Sequence, residues 1–311
     1  MEATDRKSMT ALDDQQARWP RVSVIVPVYN DETGIRRCLG TILAQAYPGE
    51  REIIVVDNAA EFSLGVLAAE HPEVTFIAES SPGSYNARNA GLRIATGGVF
   101  AFTDADCRPQ EQWLKSGVAA LMADPGVAMV GGRIDLVIDH DGAPTLPELY
   151  QLALAFPQKV YVEQQSYAAT ANMFTRRSTF DKVGAFNGGL KSGGDAEFGR
   201  RVGSAGLRLA YAPDAVVQHP ARTSYREIFI KARRVVGGER DRRPGWWNCL
   251  RYCYHNLTPS RRRLSAILKN PDVPFDPITK AKLVALAISI NWAYAYWRLV
   301  LQLTNAESSR S

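Results

Sequence analysis

The patterned part of the chain opens with VSVIVP at residues 22–27, a β-branched run followed by Pro27. A nearly continuous apolar run is typical of a strand covered on both faces, as in a parallel sheet, and we expect Pro27 to end it. Residues 31–46 then have helical spacing, with Ile35, Leu39 and Ile42 on one face. The chain therefore begins its folded part with a strand and a helix.

This alternation continues along the chain. It indicates a mostly parallel α/β sheet, which binds ligands at the carboxyl ends of its strands. The polar residues at those ends lie at 27–30, 57–58 and 104–106. The further predicted strands are 52–57, 74–78, 99–103, 127–137 and 208–211, and the further predicted helices are 63–70, 84–95, 111–122 and 146–156.

The composition excludes several classes of protein. With 311 residues, 46% hydrophobic and 22% charged, the chain is neither disordered nor collagen-like, and it is long enough to bury a sizeable core. Its four cysteines lack the dense spacing of a disulfide scaffold, so we expect reduced thiols and a cytoplasmic location. Residues 1–20 are polar, contain no apolar segment of a secretory signal, and are interpreted as an N-terminal tail.

Charge divides the chain into two parts. The formal net charge of +5 combines −6 over residues 1–220 with +11 over residues 221–311. We therefore expect a folded body at 21–220 and a basic, aromatic, helical region at 221–311. Such a region predicts an anionic partner, either a membrane surface or a nucleic acid.

Two carboxylates follow the predicted buried strand at 99–103, in the segment TDAD at 103–106. Asp104 and Asp106 stand two positions apart, so both could reach one hard cation such as Mg²⁺ or Mn²⁺, which prefers oxygen ligands. Their place at the ligand edge of the sheet favours that interpretation. The alternative is an ordinary acidic turn.

Two glycine-containing segments each open a predicted helix. In SGGDAEF at 192–198, Asp195 lies near a helix N-terminus, where the helix dipole stabilises a carboxylate that could act as a general base. The alternative is a helix cap with a solvated face. In GSYNARNAG at 83–91, Arg88 lies one turn into the helix, which suits binding of a phosphate. The alternative there is a capped helix whose arginine is solvated.

These motifs, taken in order, resemble those of family 2 glycosyltransferases, which have the GT-A fold. A single motif of this kind is weak, but six in the family's order are specific. The resemblance implies a Rossmann-like, mostly parallel central sheet with helices on both faces, divided into a nucleotide-sugar half at 21–109 and an acceptor half at 110–220, plus a C-terminal helical extension. The matching segments are VSVIVPVYN at 22–30, IVVD at 54–57, ARNAG at 87–91, TDAD at 103–106, VGAF at 183–186 and GDAE at 194–197.

The resemblance also implies an activity, the transfer of a sugar from a UDP- or GDP-sugar to an acceptor hydroxyl. Asp195 falls on the family's catalytic base, which takes the acceptor proton in an inverting single displacement. A divalent cation, Mn²⁺ or Mg²⁺, would be held by Asp106, Asp104 and His219. The donor nucleotide would be bound by Pro27, Val28, Tyr29, Asn30, Asp57, Arg88 and Asp104. The acceptor stays open between a lipid-linked molecule and a small one.

The chain departs from the family's pattern at three points. Gly194 stands where the family usually has Glu before the base, and Asn58-Ala59-Ala60 stands where Asp-Gly-Ser usually follows Asp57. The Gln-x-x-Arg-Trp motif of processive members is absent, which favours non-processive transfer of a single sugar. The segment GGERDRR at 237–243 lies in roughly that region.

The basic region interleaves arginines with aromatic residues and ends in an apolar segment at 283–303, close to the ~20 residues that span a bilayer. Asn291, Arg298 and Gln302 form one narrow polar stripe along it, which a lipid-facing span rarely accepts. We therefore predict association with a membrane surface, peripheral on its inner face, with a buried soluble helix as the alternative. No nucleic acid is expected as a partner.

Two other functions fit parts of the sequence. A nucleotidyltransferase that makes nucleotide sugars would share the carboxylate ligands, but it needs a glycine-rich loop bearing Lys or Arg after the first strand, and residues 29–34 lack one. A non-enzymatic membrane- or RNA-binding module would depend on the basic region. Loss of Asp104 and Asp106 would leave such a module intact, whereas it would stop a transferase.

Overall fold

The computed structural model describes residues 19–58, 64–154, 156–270 and 276–304. The predicted N-terminal tail lies almost wholly outside these residues, as do Ala59 and Ala60. The strands are β1 (Val22–Val28), β2 (Arg51–Asp57), β3 (Val74–Ala78), β4 (Val99–Thr103), β5 (Arg108–Pro109), β6 (Val127–Val137), β7 (Asn172–Arg176) and β8 (Arg208–Pro220). The helices are α1 (Glu32–Leu43), α2 (Leu64–Glu70), α3 (Ser84–Ile94), α4 (Trp113–Met122), α5 (Leu146–Leu154), α6 (Gln158–Gln165), α7 (Arg177–Val183), α8 (Gly194–Ser204), α9 (Tyr225–Arg242), α10 (Trp246–His255), α11 (Arg261–Lys269) and α12 (Pro277–Thr304).

The strands of the described residues form one sheet in the order β3-β2-β1-β4-β7-β6-β8-β5. Strands β1 to β4 run parallel, while β7 is antiparallel to β4 and β6, and β5 is antiparallel to β8. Every residue of β1 and β4 is buried, as expected for central strands covered on both faces. The predicted α/β class and its parallel strands are confirmed, and three of those strands end at Val28, Asp57 and Thr103.

Two strands are longer than the sequence indicated. Pro27 does not end β1, which pairs with β2 through Val28. Because β4 pairs with β1 only as far as Ile25, Pro27 has a neighbouring strand on one side, and its missing N–H interrupts no ladder on the other. Strand β8 runs to Pro220 instead of ending near residue 211, since its far end pairs with β5.

The chain divides into two compact units. The first, which we call the sheet unit, takes residues up to 134, 158–188 and 195–218. The second, the helical unit, takes residues 135–157, 189–194 and those from 219 onward.

The helical unit is organised around α12, which packs against α5, α9, α10 and α11. Two of the three residues of the predicted polar stripe of α12 are buried, since Asn291 and Arg298 are 2% and 1% exposed, while Gln302 is partly buried. Within the described ranges, α12 is also the one helix long and apolar enough to cross a membrane, by length and composition only, with 33% of that stretch buried. The core of this unit consists of Leu149, Tyr150, Ala153, Ile228, Ile267, Leu283, Leu286, Ala287 and Ile290.

A buried amide holds the antiparallel part of the sheet together. The side chain of Asn172 at the start of β7 is fully buried. Its nitrogen donates to the carbonyls of Arg133 and Ala215 at 2.7 and 2.8 Å, and its oxygen accepts from the indole N–H of Trp113 at 2.8 Å. Strands β6, β7 and β8 and helix α4 thus meet at one residue whose hydrogen-bonding groups are satisfied, as a buried polar group requires.

Replacing this amide should destabilise the sheet unit. Asn172→Ala leaves one buried donor and two buried acceptors without this partner, and each such group costs about 1–3 kcal/mol. We expect the free energy of unfolding in urea to fall by about 3 kcal/mol or more. Gln112→Ala, at an exposed position that makes no side-chain capping bond to α4, should change it by less than about 0.5 kcal/mol. Equal stability of the two variants would contradict this account.

Candidate active site

The predicted metal motif lies in the loop between β4 and β5. Asp104, Asp106 and the neighbouring Cys107 present ligand atoms within 4.8 Å of one another. Cys107 is fully buried, and burial together with the nearby aspartates raises the pKa of its thiol well above the ordinary value. Because Mg²⁺ and Mn²⁺ prefer oxygen ligands to sulfur, the two carboxylates are the better ligands among these three groups. Oxygen donors of this kind fit Mg²⁺ or Mn²⁺.

His219, the third predicted metal ligand, is the penultimate residue of β8 and is 7% exposed. Its Nδ1 lies 2.8 Å from the carbonyl oxygen of Pro220. A hydrogen bond from Nδ1–H to that carbonyl selects the tautomer whose Nε2 is unprotonated. The imidazole is therefore oriented as a metal-binding histidine would be.

Arg88 is not solvated, in contrast to the alternative drawn from the sequence. The residue is 3% exposed, and its guanidinium donates to a carboxylate oxygen of Asp104 and to the carbonyl of Ser84, the latter at 3.2 Å. Its Nε–H is buried and has no hydrogen-bond partner in the described part of the chain. Helix α3 thus places the buried guanidinium of Arg88 against Asp104, the aspartate that follows β4.

Asp195, the predicted base, is in the first turn of α8 and is contacted by Tyr85 of α3. The Tyr85 hydroxyl donates to Oδ1 of Asp195 at 3.4 Å and accepts from its backbone N–H at 3.3 Å. Burial raises the pKa of Asp195, and Asp104 raises it further, whereas the N–H of Ala196, Arg88 and Tyr85 act in the opposite direction. A carboxylate with a raised pKa is a stronger base.

Aromatic side chains pack beside the contact between Tyr85 and Asp195. The ring of Phe186 lies 5.8 Å from Tyr85, 5.5 Å from Phe102 of β4 and 4.8 Å from Phe198 of α8, measured between centroids. The side-chain amide of Asn89 donates to the Phe186 carbonyl at 2.8 Å and accepts its N–H at 3.1 Å. The segments ARNAG and VGAF, found as separate motifs in the sequence, are therefore in direct contact.

The loop before α3 is held by Asn58, which stands where an aspartate was expected from the resemblance. Its side chain donates to the carbonyls of Glu79 and Ser81, both at 2.8 Å, and accepts the N–H of Gly83 at 2.5 Å. Three bonds of this kind need an amide, since a carboxylate has no hydrogen to donate. The departure at this position thus has a structural role in placing the start of α3.

The predicted nucleotide residues cluster at the ends of β1 and β2. Pro27 and Val28 end β1, and Asp57 ends β2 with 3% exposure. Tyr29 is 62% exposed, and Asn30 has a φ of 48°, a left-handed conformation that asparagine tolerates better than most residues. These residues lie at the carboxyl edge of the parallel strands, as predicted.

Sequence reasoning missed Tyr85 and Cys107. Tyr85 lies three positions before Arg88 on α3, a spacing that places two side chains on one helix face, and that spacing was the available signal. Nothing in the sequence joined Tyr85 to Asp195, which lies 110 positions away.

A model of glycosyl transferase family 2 matches residues 23–192. The chain belongs to glycosyltransferase family 2. It is 35% identical to glycosyltransferase AglE of Haloferax volcanii over 71% of this chain and 73% of that protein. It is 31% identical to the pre-mycofactocin glycosyltransferase of Mycobacterium tuberculosis over 70% of this chain, and the match spans 46% of that longer protein.

A solved structure shares the fold of this glycosyltransferase. It is a mannosyltransferase from Pyrobaculum calidifontis in complex with GDP-mannose and Mn²⁺, with a TM-score of 0.59, 19% identity, and coverage of 96% of this chain and 95% of that one. The predicted GT-A fold and family are therefore confirmed. The protein is a glycosyltransferase and not a nucleotidyltransferase or a non-enzymatic module.

The contact between Tyr85 and Asp195 predicts a measurable titration. Tyr85→Phe removes a hydrogen bond that favours the ionised carboxylate, so the pKa of Asp195 should rise above its value in the parent protein. The measurement is a ¹³C-carboxyl NMR titration, with the Asp195 signal assigned by its loss in Asp195→Asn. Tyr47→Phe, which removes a partly buried hydroxyl bonded to the Pro20 carbonyl, should leave that pKa unchanged. An unchanged or lower pKa in Tyr85→Phe would exclude the hydrogen bond.

Proposed function

We propose that this glycosyltransferase moves one sugar from a nucleotide-diphosphate sugar, a UDP- or GDP-sugar, to an acceptor hydroxyl with the help of Mn²⁺ or Mg²⁺. The observation that carries the proposal is that Arg88 and Tyr85 of α3 contact Asp104 and Asp195, respectively. Asp106 presents a ligand atom within 4.8 Å of Asp104. The fold neighbour that binds GDP-mannose and Mn²⁺ supports the same donor class.

The donor would lie at the carboxyl edge of β1, β2 and β4. Asp57 and the residues from Pro27 to Asn30 would contact the nucleoside, as implied by the family resemblance. Asp106, Asp104 and His219 would hold the cation, which when bound neutralises the charge of the diphosphate leaving group. The unpartnered Nε–H of Arg88 supplies a donor for a diphosphate oxygen close to Asp104.

Asp195 would act as the general base. Its raised pKa, caused first by burial, suits a group that takes a proton from an acceptor hydroxyl. The hydroxyl oxygen then attacks the anomeric carbon as the bond to the diphosphate breaks. One attack from the opposite face of the sugar inverts the anomeric centre, and the absence of a Gln-x-x-Arg-Trp motif favours release after a single transfer.

The helical unit supplies a surface suited to the inner face of an anionic membrane. One face of α10 and its continuation is exposed and apolar at positions 246, 247, 250, 254 and 257, of which Trp247 and Tyr254 are 85% and 73% exposed. Arg251 lies exposed on the same helix. Trp and Tyr favour the headgroup layer while Arg meets anionic lipid. The acceptor we propose for an enzyme bound at such a surface is lipid-linked or membrane-proximal.

Two substitutions separate binding from chemistry. Asp195→Asn should lower the rate of sugar transfer by about 10²–10⁴-fold while binding of the nucleotide sugar survives. Asp106→Ala should abolish the cation-dependent part of nucleotide-sugar binding. The measurements are nucleoside-diphosphate release and calorimetry with UDP- and GDP-sugars, each with and without Mn²⁺. Asp181→Asn, at an exposed position of α7, is the matched control and should change neither the rate of transfer nor the binding of the nucleotide sugar. Normal turnover by Asp195→Asn would disprove the assignment of the base.

The membrane proposal has its own test. Trp247→Ser should weaken binding to phosphatidylserine-containing vesicles about tenfold or more, because burial of an aromatic side chain contributes about 1.5–3 kcal/mol. Flotation at low salt measures the bound fraction. Val66→Ser, at a 55% exposed apolar position of the sheet unit, should bind as the parent protein does. A parent protein that stays in the soluble fraction would contradict membrane association.

A further inference from the structure

The helical unit contains a cavity, lined in part by charged side chains, that the proposed transfer reaction does not use. Its volume is about 230 Å³, which is far more than a single water molecule needs. Three arginines and one carboxylate line the cavity, so the lining carries a net positive charge even when the histidine is counted as neutral. The lining residues are Glu239, Arg243, Asn248, Arg251, Tyr252, His255, Asn256 and Arg298.

Arg298 is the most unusual member of this lining. Its side chain is 1% exposed, and its guanidinium donates to Oε1 of Gln302 and to the carbonyl of Arg243, both at 2.9 Å. Both acceptors are neutral, and within the described ranges no carboxylate pairs with Arg298. A buried charge without a counter-ion is strongly unfavourable, so this site favours any anion that can reach it.

The one carboxylate of the cavity is already engaged. Glu239 pairs with Arg242 at 2.9 Å and with Arg243 at 3.3 Å. It therefore compensates arginines of its own helix end and leaves the charge of Arg298 unmatched. Arg251, another lining residue, is exposed and forms no ion pair in the part of the chain that the structure describes.

We infer that this cavity binds a phosphate group, held by the guanidinium groups of Arg298, Arg251 and Arg243. Arginine presents several N–H groups in a planar fork that matches phosphate oxygens, and such charge-assisted bonds are the strong ones. Asn248 and His255 line the same space and add polar groups at its wall. The phosphate could be free in solution or be the monoester headgroup of a lipid, and the chemistry of recognition is the same.

The test measures binding of inorganic phosphate by calorimetry in EDTA, where cation-dependent binding at the aspartates is absent. The full-length parent protein should bind phosphate, and Arg251→Gln should weaken that binding about tenfold or more, as expected for loss of a hydrogen bond between charged groups. Arg226→Gln, an equal charge change at an exposed position of α9 outside the cavity, should bind as the parent does. Asp106→Asn should also keep its phosphate binding.

A second arm identifies the source of the phosphate. Vesicles with phosphatidic acid are compared with phosphatidylserine vesicles of equal charge, again in Arg251→Gln and Arg226→Gln. Phosphate binding measured by calorimetry identifies free phosphate as the ligand, and vesicle binding selective for phosphatidic acid identifies a lipid phosphate. Either result supports the site if Arg251→Gln impairs the binding and Arg226→Gln does not. Arg298→Gln should remove either one provided that its circular dichroism spectrum is that of the parent, and Arg251→Gln decides if Arg298→Gln does not fold. Absence of both kinds of binding, or an equal loss in Arg226→Gln, would overturn the inference.

Discussion

The ion pair between Arg88 and Asp104 is the interaction on which the active-site region depends. Arg88 is almost fully buried, and Asp104 is the carboxylate that compensates its charge. Removing Asp104 would leave the charge of the buried guanidinium without its partner, which is unfavourable. The pair therefore fixes the end of β4 against α3. Since Tyr85 lies three residues earlier on that helix and contacts Asp195, the same placement of α3 also orients the proposed base.

The active-site region depends on contacts between residues far apart in the chain, and this explains how much of it could be predicted from sequence. Buried strands such as β1 and β4 are almost entirely apolar, so a local pattern identifies them, and the aspartates after β4 follow by position. The contacts of Tyr85 with Asp195 and of Asn89 with Phe186 join residues separated by 110 and 97 positions. No local pattern carries such pairing. The length of β1 was misjudged for a related reason, since Pro27 is tolerated only because β4 does not pair beside it.

The polar stripe of α12 shows the same limit in the helical unit. Its spacing was visible in the sequence, but its purpose depends on neighbours distant in the chain. Asn291 accepts from Arg263 and donates to the Thr258 carbonyl at 2.8 Å, while Arg298 bonds to Gln302 and to the carbonyl of Arg243. These polar groups therefore form hydrogen bonds with other residues of the helical unit. Because α12 uses its polar residues for contacts with its own unit, an apolar composition alone does not make it a membrane span. Apolar residues on another side of the helix, including Trp292, are exposed.

One departure from the family's motifs, the segment at 237–243, contacts the loop that leads to Asp195. Gly193 adopts a φ of 74°, which favours glycine, and the guanidinium of Arg242 donates to its carbonyl at 3.3 Å. One turn earlier on α9, a Cβ on Gly238 would lie 2.7 Å from the carbonyl oxygen of Ser192, so only glycine lets helix and loop approach this closely. The segment found where processive members carry Gln-x-x-Arg-Trp thus packs against the loop before the proposed base. A longer side chain at position 238 would displace that loop. Gly238 and Arg242 of α9 therefore both help to hold the loop before Asp195.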